Sequence, residues 1–281
     1  MKVVLFCGGY GMRMREDAHD LVPKPMARVG GRPLLWHVMS WYAAWGHRDF
    51  VLCLGYGAEA VKDFFLDYRE TSSNDFVLCD GEPQLLSRDV SDWRISFVDT
   101  GLNTSIGQRL AQVRSHVENE PMFLANYGDV LTDVHLPTMI DEVRSSNAAA
   151  AVLAVLPRDT FHVVDIGPGR LVRALRPVTQ LGLRVNGGYF VLTPAVLDLL
   201  GDGADLVDGA LARLADRGLV VAHEYDGFWV PADTVKDRAE LEAMYAANHR
   251  PWAVWETPAA VAERRQRVAA AQNGSHAPAP A

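Results

Sequence analysis

The chain has 281 residues, of which 49% are hydrophobic and 22% are charged, the composition of an ordinary soluble globular protein with a full core. Its net charge of −8 disfavours broad nucleic-acid binding, and no apolar run reaches the length of a membrane span. The three cysteines lack metal-ligand spacing, which indicates reduced thiols. We therefore expect a cytoplasmic protein without nucleic-acid or membrane partners. The composition predicts a single domain over residues 1–267 and a disordered tail over residues 268–281.

The first residues of the chain combine an apolar strand, a glycine turn and two cations. The apolar run that opens the chain predicts a parallel strand covered on both faces. Gly8, Gly9 and Gly11 follow it, and backbone N–H groups at glycines approach a polyanion closely because no Cβ intervenes. Arg13 is suited to fork onto phosphate oxygens, and Lys24, which lies between two prolines, adds a point charge. This combination predicts a nucleotide triphosphate site.

Other interpretations of the same segment are weaker. A Walker A loop needs Gly-Lys-Ser/Thr, and Met12-Arg13 departs from it. The dinucleotide fingerprint fails because Met14 stands where its third glycine belongs. A bare glycine turn after a strand is nevertheless common, and exposed lysines are the rule, so the motif alone leaves an ordinary surface role for Lys24 open.

Strand-like and helical patterns alternate along the chain. This alternation predicts a doubly wound, mostly parallel, Rossmann-like α/β sheet with ligands at the carboxyl ends of its strands. In the first half, the predicted elements are a helix at 33–45, a strand at 49–55, a helix at 58–68, strands at 76–79 and 93–98, a helix at 105–117, a strand at 121–126, a helix at 135–146 and a strand at 149–157.

The second half begins with short β runs, which predict a small β extension over the site between about residues 160 and 190. The remaining predicted elements are helices at 195–200 and 208–217, a strand at 220–225 and a helix at 234–248. His37 lies on the apolar face of its helix, a position typical of a hydrogen-bonded core histidine rather than a catalytic base. Trp252 and Trp255 are expected to pin the C-terminal region to the domain or to a neighbouring subunit.

Two aspartates follow strand-like segments, where a doubly wound sheet binds its ligands. Asp129 follows the run 122–126, and Asp233 follows the run 228–232. If the two carboxylates converge, they predict a Mg²⁺ site completed by substrate phosphate oxygens. The alternative is that each aspartate caps a following helix. That alternative is serious for Asp233, which directly precedes the helix predicted at 234–248, and less apt for Asp129.

Together these motifs resemble the sugar-1-phosphate nucleotidylyltransferase family, and most closely its glucose-1-phosphate cytidylyltransferases. The resemblance spans the chain up to its tail. It is carried by Gly8-Gly9-Tyr10-Gly11-Met12-Arg13, Lys24-Pro25-Met26, Asp99-Thr100-Gly101-Leu102-Asn103-Thr104, Tyr127-Gly128-Asp129, Asn186-Gly187-Gly188-Tyr189-Phe190 and Asp226-Gly227-Phe228-Trp229.

The resemblance implies a GT-A-like nucleotidyltransferase fold and a Mg²⁺-dependent reaction. A sugar-1-phosphate, by default glucose-1-phosphate, attacks the α-phosphorus of a nucleoside triphosphate, by default CTP, and pyrophosphate leaves. By match to the family motifs, Arg13, Lys24 and Asp129 are catalytic, and Asp129 and Asp233 coordinate Mg²⁺. The implied nucleotide-binding residues are Gly8, Gly9, Gly11, Gly101, Thr104 and Gly128, and the implied sugar-phosphate-binding residues are Arg176, Asn186 and Gly188. The family is usually oligomeric, so we expect a homo-oligomer.

The chain departs from the family pattern near the implied sugar site. Relatives carry Glu-Lys-Pro where this chain has Leu175-Arg176-Pro177; their lysine meets the sugar phosphate and their glutamate meets sugar hydroxyls. Arg176 keeps the positive charge, but Leu175 cannot accept a hydrogen bond from a hydroxyl. Gln108 also replaces a family glycine, which affects contacts near the base.

These departures leave alternatives open. One keeps the chemistry and changes the sugar, to a deoxy, heptose or otherwise modified sugar phosphate, or changes the base. Another is a non-catalytic regulatory protein that binds a nucleotide sugar. Retention of Arg13, Lys24, Asp129 and Asp233 argues against the regulatory protein, because a pure binder needs neither leaving-group charge nor metal.

Overall fold

The chain folds around a seven-stranded sheet, and two-stranded sheets are added at its periphery. The structure is a computed structural model that describes residues 1–9, 23–158, 161–263 and 266–267. The β-strands are β1 (Lys2–Phe6), β2 (Arg28–Val29), β3 (Arg32–Pro33), β4 (Asp49–Leu54), β5 (Phe76–Cys79), β6 (Glu82–Leu85), β7 (Arg94–Asp99), β8 (Phe123–Asn126), β9 (Val130–Thr132), β10 (Ala150–Val155), β11 (His162–Ile166), β12 (Val172–Pro177), β13 (Val185–Leu192), β14 (Val220–Tyr225) and β15 (Trp229–Pro231).

Helices cover both faces of the central sheet. The α-helices are α1 (Leu34–Ala44), α2 (Ala58–Leu66), α3 (Ile106–Gln112), α4 (Arg114–Val117), α5 (Leu136–Ser145), α6 (Ala212–Ala215) and α7 (Val235–Ala246). The predicted helix at 105–117 is split at Val113, whose backbone leaves helical geometry. The helix predicted at 195–200 is instead a 3-10 helix, and the one predicted at 208–217 begins as a π-helical segment, Leu206–Leu211. In that segment the Ala210 N–H donates to the Asp205 carbonyl, five residues back.

The strand order of the central sheet is β14-β10-β13-β8-β1-β4-β7. Within this sheet the pairs β1/β4, β1/β8, β4/β7 and β10/β14 are parallel, and the two pairs that involve β13 are antiparallel. The predicted mostly parallel α/β fold is therefore confirmed. None of the helices in the described ranges has both the length and the apolar character of a bilayer-spanning segment.

Strand β1 is apolar throughout because both of its faces are covered. Val3 and Leu5 pack into the layer that holds α1 and α5, whereas Val4 and Phe6 pack into the layer that holds α3 and α4. All four side chains are buried, each worth about 2 kcal/mol on removal from water. This two-sided packing fixes the carboxyl end of β1, where the glycine turn begins.

The C-terminal segment is anchored to the domain through His37. The His37 ring is buried; its Nε2 donates to the carbonyl of Val29 at 2.9 Å, and its Nδ1 accepts from the indole N–H of Trp252 at 3.3 Å. His37 is thus a hydrogen-bonded core residue, as the sequence predicted, and Trp252 pins the C-terminal region. Both ring nitrogens are satisfied only in the neutral form. Burial, aided by the charges of Arg32 and Arg250, lowers the pKa of His37 to about 4.

We expect His37 to make the protein acid-sensitive. Its pKa is about 4 when folded and 6.5 in the reference state, so the unfolded chain binds the proton more tightly, and stability is lost as the pH falls below 6.5. The loss between pH 7 and pH 5 amounts to about 2 kcal/mol. Urea unfolding at both pH values, on the wild type and on His37→Gln, measures it. Burial also lowers the pKa of His47 to about 4, which adds a similar loss in both proteins, so the variant should differ from the wild type by about 2 kcal/mol in its pH dependence and not abolish it. An equal dependence in both proteins contradicts the assignment.

Candidate active site

A cleft of about 780 Å³ opens at the carboxyl ends of β1 and β8, the edge at which a doubly wound sheet binds ligands. This volume is in the range of small-molecule sites. Polar and charged side chains from every part of the chain line the cleft: Lys24, Asn103, Thr104, Arg109, Tyr127, Asp129, Asn186, Asp205 and Asp233.

Lys24 joins the two predicted acids within this cleft. Its ammonium lies 2.5 Å from Oδ2 of Asp129 and also donates to Oδ1 of Asp233. The side chains of Lys24 and Asp129 are 15% and 18% exposed, so the pair is largely withdrawn from water, whereas Asp233 is 41% exposed. Three segments that are far apart in sequence therefore meet at one cation.

A small antiparallel sheet brings the two aspartates together. Strand β9 begins directly after Asp129, and it pairs with β15, which ends two residues before Asp233. The pairing continues beyond the strands, where the Ala232 N–H donates to the carbonyl of Asp129 at 2.9 Å. Gly128 makes the turn out of β8 with a φ of +80°, a left-handed conformation that favours glycine. The register between β9 and β15 thus sets the distance between the carboxylates.

Helix capping, the alternative role for both aspartates, is wrong. Thr234, not Asp233, caps α7: its hydroxyl accepts from the Asp237 N–H, and the Asp237 carboxylate accepts from the Thr234 N–H. Asp129 leads into strand β9 and has no helix to cap. Both carboxylates are therefore left to face the cleft.

Lys24, Asp129 and Asp233 form a charged triad, and the ionisation of its two acids depends on the ammonium of Lys24. Burial raises the pKa of Asp129 above its ordinary value, Lys24 partly opposes the increase, and Asp233 adds to it. Burial disfavours the charged form of Lys24, but its contacts with both aspartates outweigh that effect and raise its pKa. Two carboxylates this close need a cation between them in order to stay ionised.

The donor set fits Mg²⁺ in the company of a polyphosphate. Asp129 and Asp233 already converge on one cation, the ammonium of Lys24. Over the described ranges, no group of three or more His, Cys, Asp or Glu side chains is arranged to hold a metal ion. Mg²⁺ is commonly held by one or two carboxylates, with substrate phosphates and water in the other positions. The two aspartates match that arrangement.

Arg109, on α3, is a site residue that the sequence reasoning missed. Its buried guanidinium donates to the carbonyls of Leu54 and Gly8, each at 3.1 Å, and to the hydroxyl of Thr100 at 2.7 Å. It thereby ties together the ends of β4, β1 and β7. A Cβ on Gly8 would lie 2.1 Å from the Arg109 Nη1, so a larger residue there would have to displace the guanidinium from its hydrogen bonds. The sequence signal that could have indicated a buried role for Arg109 is its position beside Leu110, on the side of α3 that faces the core.

We expect Arg109→Met to destabilise the protein. The variant loses the guanidinium's hydrogen bonds to the carbonyls of Leu54 and Gly8 and to the Thr100 hydroxyl, at a cost of roughly 3 kcal/mol in unfolding free energy. The Leu54 carbonyl keeps its bonds from Thr100, so the cost comes from the buried charged donor rather than from an orphaned acceptor. Urea unfolding measures the effect. Arg94→Met is the matched control, because the Arg94 side chain is 78% exposed and its ion pair contributes little. Equal stabilities of the two variants would contradict the role of Arg109.

Comparison with known proteins agrees with this geometry. No family model matches the chain. A glucose-1-phosphate cytidylyltransferase from Salmonella typhimurium is 34% identical over 258 residues, which is 91% of this chain and all of that protein. A probable glucose-1-phosphate cytidylyltransferase from Bacillus subtilis is 36% identical over 259 residues, again 91% of this chain and all of the relative. The chain belongs to the sugar-1-phosphate nucleotidylyltransferase family.

The fold agrees with this assignment. The structure of a UTP-bound UGPase from Acinetobacter baumannii superposes with a TM-score of 0.65 over 95% of this chain and 98% of that one, at 20% identity. As a member of the family, this nucleotidylyltransferase transfers a nucleotidyl group to a sugar-1-phosphate.

Three of the six predicted nucleotide-binding residues line the cleft, and two others lie in turns beside it. The lining residues are Gly8, Gly9 and Thr104. Gly101 and Gly128 lie in the turns, and both have positive φ. The hydroxyl of Thr104 donates to the carbonyl of Thr100 at 2.6 Å, which closes the turn after β7. Gly11 and Arg13 lie outside the described residues, as does the predicted tail at 268–281.

The predicted sugar-phosphate residues are divided between two places. Asn186 lines the cleft; its amide donates to the Tyr127 hydroxyl at 2.7 Å and accepts from the Gly188 N–H at 2.9 Å. Arg176 lies instead on β12, in a two-stranded ribbon with β11, where it is exposed and outside the lining of the cleft. Leu175, 62% exposed, lies on the same ribbon. Within the described part of this one chain, the ribbon does not bring Arg176 to the acids.

Proposed function

We propose that this nucleotidylyltransferase catalyses Mg²⁺-dependent cytidylyl transfer from CTP to glucose-1-phosphate. The observation that carries the proposal is the convergence of Lys24, Asp129 and Asp233 at the carboxyl edge of the sheet. The choice of CTP and glucose-1-phosphate rests on the relatives at 34% and 36% identity, whose names specify that reaction. The homo-oligomer expected from the family resemblance and the cytoplasmic location expected from the composition both stay predictions.

In this reaction an oxygen of the sugar phosphate attacks the α-phosphorus of CTP, the bond to the β-phosphate breaks, and pyrophosphate leaves. Such a transfer asks the protein mainly for alignment and charge neutralisation. Asp129 and Asp233 would hold Mg²⁺, which supplies positive charge to the phosphate oxygens. Lys24 lines the same cleft, and its role in this proposal is to neutralise the α-phosphate once its ammonium is free of the two acids. The turn at Gly8 and Gly9 offers backbone N–H groups to the polyphosphate.

A second candidate keeps the chemistry and changes the sugar. It is suggested by the sequence, because Leu175 replaces the glutamate that the family resemblance implies as an acceptor for sugar hydroxyls; in this chain Leu175 lies on the exposed ribbon, outside the lining of the cleft. A buried hydroxyl that loses its acceptor disfavours the usual sugar strongly. The cleft offers another carboxylate in Asp205, one oxygen of which accepts from the Val207 N–H. A sugar with a different hydroxyl pattern is compatible with that change.

A substrate panel tests the proposal. The purified protein is incubated with Mg²⁺, each of the four nucleoside triphosphates plus dTTP, and a series of sugar-1-phosphates, and pyrophosphate release is measured. We expect CTP with glucose-1-phosphate to exceed every other pair by at least about tenfold. A faster reaction with a deoxy or heptose phosphate would support the second candidate. Tight nucleotide binding without release from any pair would contradict both and favour the regulatory protein.

A further inference from the structure

Lys24 occupies the place that a bound cation would take. Its ammonium lies between Asp129 and Asp233, contacts both carboxylates, and is only 15% exposed. The 3-10 turn Lys24–Met26 holds it there, since Pro23 before it is extended and Pro25 fixes the next φ. The backbone of the turn therefore directs the stem of Lys24 toward the two acids, while its side-chain torsions remain free to move the ammonium within the cleft.

This position conflicts with a role at the substrate. A lysine ammonium has three N–H donors, and two of them are engaged by Asp129 and Asp233. The triad carries a net charge of −1, from one ammonium and two carboxylates, so it repels a polyphosphate rather than attracting it. Lys24 has to leave at least one carboxylate before its charge becomes available to a phosphate group.

We propose that Lys24 is an internal counter-cation that a divalent cation displaces from Asp129 and Asp233. On displacement, a divalent cation takes the place of the ammonium between the acids, and the ammonium moves toward the open cleft. The two carboxylates, the ammonium and the divalent cation then carry a net charge of +1, where the triad alone carried −1. The protein then presents Lys24 to a phosphate only after the divalent cation has bound. The identity of the cation as Mg²⁺, and of the phosphate as that of a nucleotide, rests on the proposed function; the exchange itself does not.

Competition between Lys24 and a divalent cation makes the exchange measurable without substrates. Free Mn²⁺ is titrated by electron paramagnetic resonance against the wild type and Lys24→Met, with no nucleotide or sugar present. Removal of the ammonium leaves two uncompensated acids, so the variant should bind Mn²⁺ at least about tenfold more tightly. Lys62→Met, on α2 and outside the lining of the cleft, should leave the affinity unchanged. Equal or weaker binding by Lys24→Met overturns the proposal.

A second measurement uses the wild type alone and does not depend on the folding of a variant. Lysines are acetylated briefly with acetic anhydride, with and without Mn²⁺, and are quantified by peptide mass spectrometry. Lys24 should react several-fold faster with the ion present, because its contacts with both acids are then broken, whereas Lys62 serves as an unchanged internal control. An unchanged rate at Lys24 overturns the proposal. Since neither measurement contains CTP or a sugar phosphate, failure of the exchange and failure of the substrate panel are separate results.

Discussion

Replacement of Asp129 by Asn should reduce the rate of nucleotidyl transfer by a factor of about 10³, the loss typical of removing one group that stabilises charge in a transition state. Asp129 is the buried acid of the triad, and its carboxylate accepts from Lys24 at 2.5 Å. Asparagine keeps the shape and removes the negative charge. The variant would therefore retain the fold but bind the divalent cation poorly. Pyrophosphate release at saturating substrates is the measurement.

The control for this prediction separates catalysis from stability. Asp165→Asn makes the same chemical change on the exposed ribbon strand β11 and should leave turnover intact. Urea unfolding should place Asp129→Asn within about 1–2 kcal/mol of the wild type, because Lys24 keeps its contact with Asp233. If Asp129→Asn retained most of its activity, the carboxylate would be no more than a structural partner of Lys24.

Lys24→Met should lower turnover by about 10²-fold or more, because the α-phosphate loses its neutralising charge. The same substitution should strengthen divalent-cation binding, because the ammonium no longer competes for Asp129 and Asp233. The two effects have opposite signs, and general destabilisation would not produce that combination. Single-turnover kinetics and the Mn²⁺ titration measure them on one protein preparation.

Lys62→Met serves again as the control, since Lys62 lies on α2 outside the cleft lining. Normal turnover in Lys24→Met would show that the ammonium only balances charge in the resting protein. Loss of both turnover and cation binding would instead indicate that Lys24 holds the two strands β9 and β15 in place.

The parts of the site that were predictable are those in which local sequence determines geometry. Continuous apolar residues in β1 predict a strand covered on both faces, and the structure buries them in two separate layers. The position of Asp129 after β8 follows from the general rule that parallel strands deliver ligands at their carboxyl ends. His37 was also predictable, because a histidine on a fully apolar helix face has to find backbone and indole partners.

Other features depend on contacts between distant segments. Asp233 stands next to Thr234, and either residue type is a good N-cap; only the reciprocal contact of Thr234 with Asp237 decides between them. The interaction of Arg109 with the ends of three strands is visible only once α3 packs beside Gly8. Arg176 was placed by its resemblance to a family lysine, but the pairing of β11 with β12 carries it onto an exposed ribbon.

Transfer of the α-phosphate of CTP is the most direct test of the catalytic centre. The protein is incubated with Mg²⁺, glucose-1-phosphate and CTP labelled with ³²P at the α-phosphate, and the products are separated by chromatography. We expect a labelled sugar nucleotide with the wild type and with Asp165→Asn, and almost none with Asp129→Asn. Labelled product formed equally by Asp129→Asn would contradict the assignment of the cleft around Lys24, Asp129 and Asp233 as the catalytic centre.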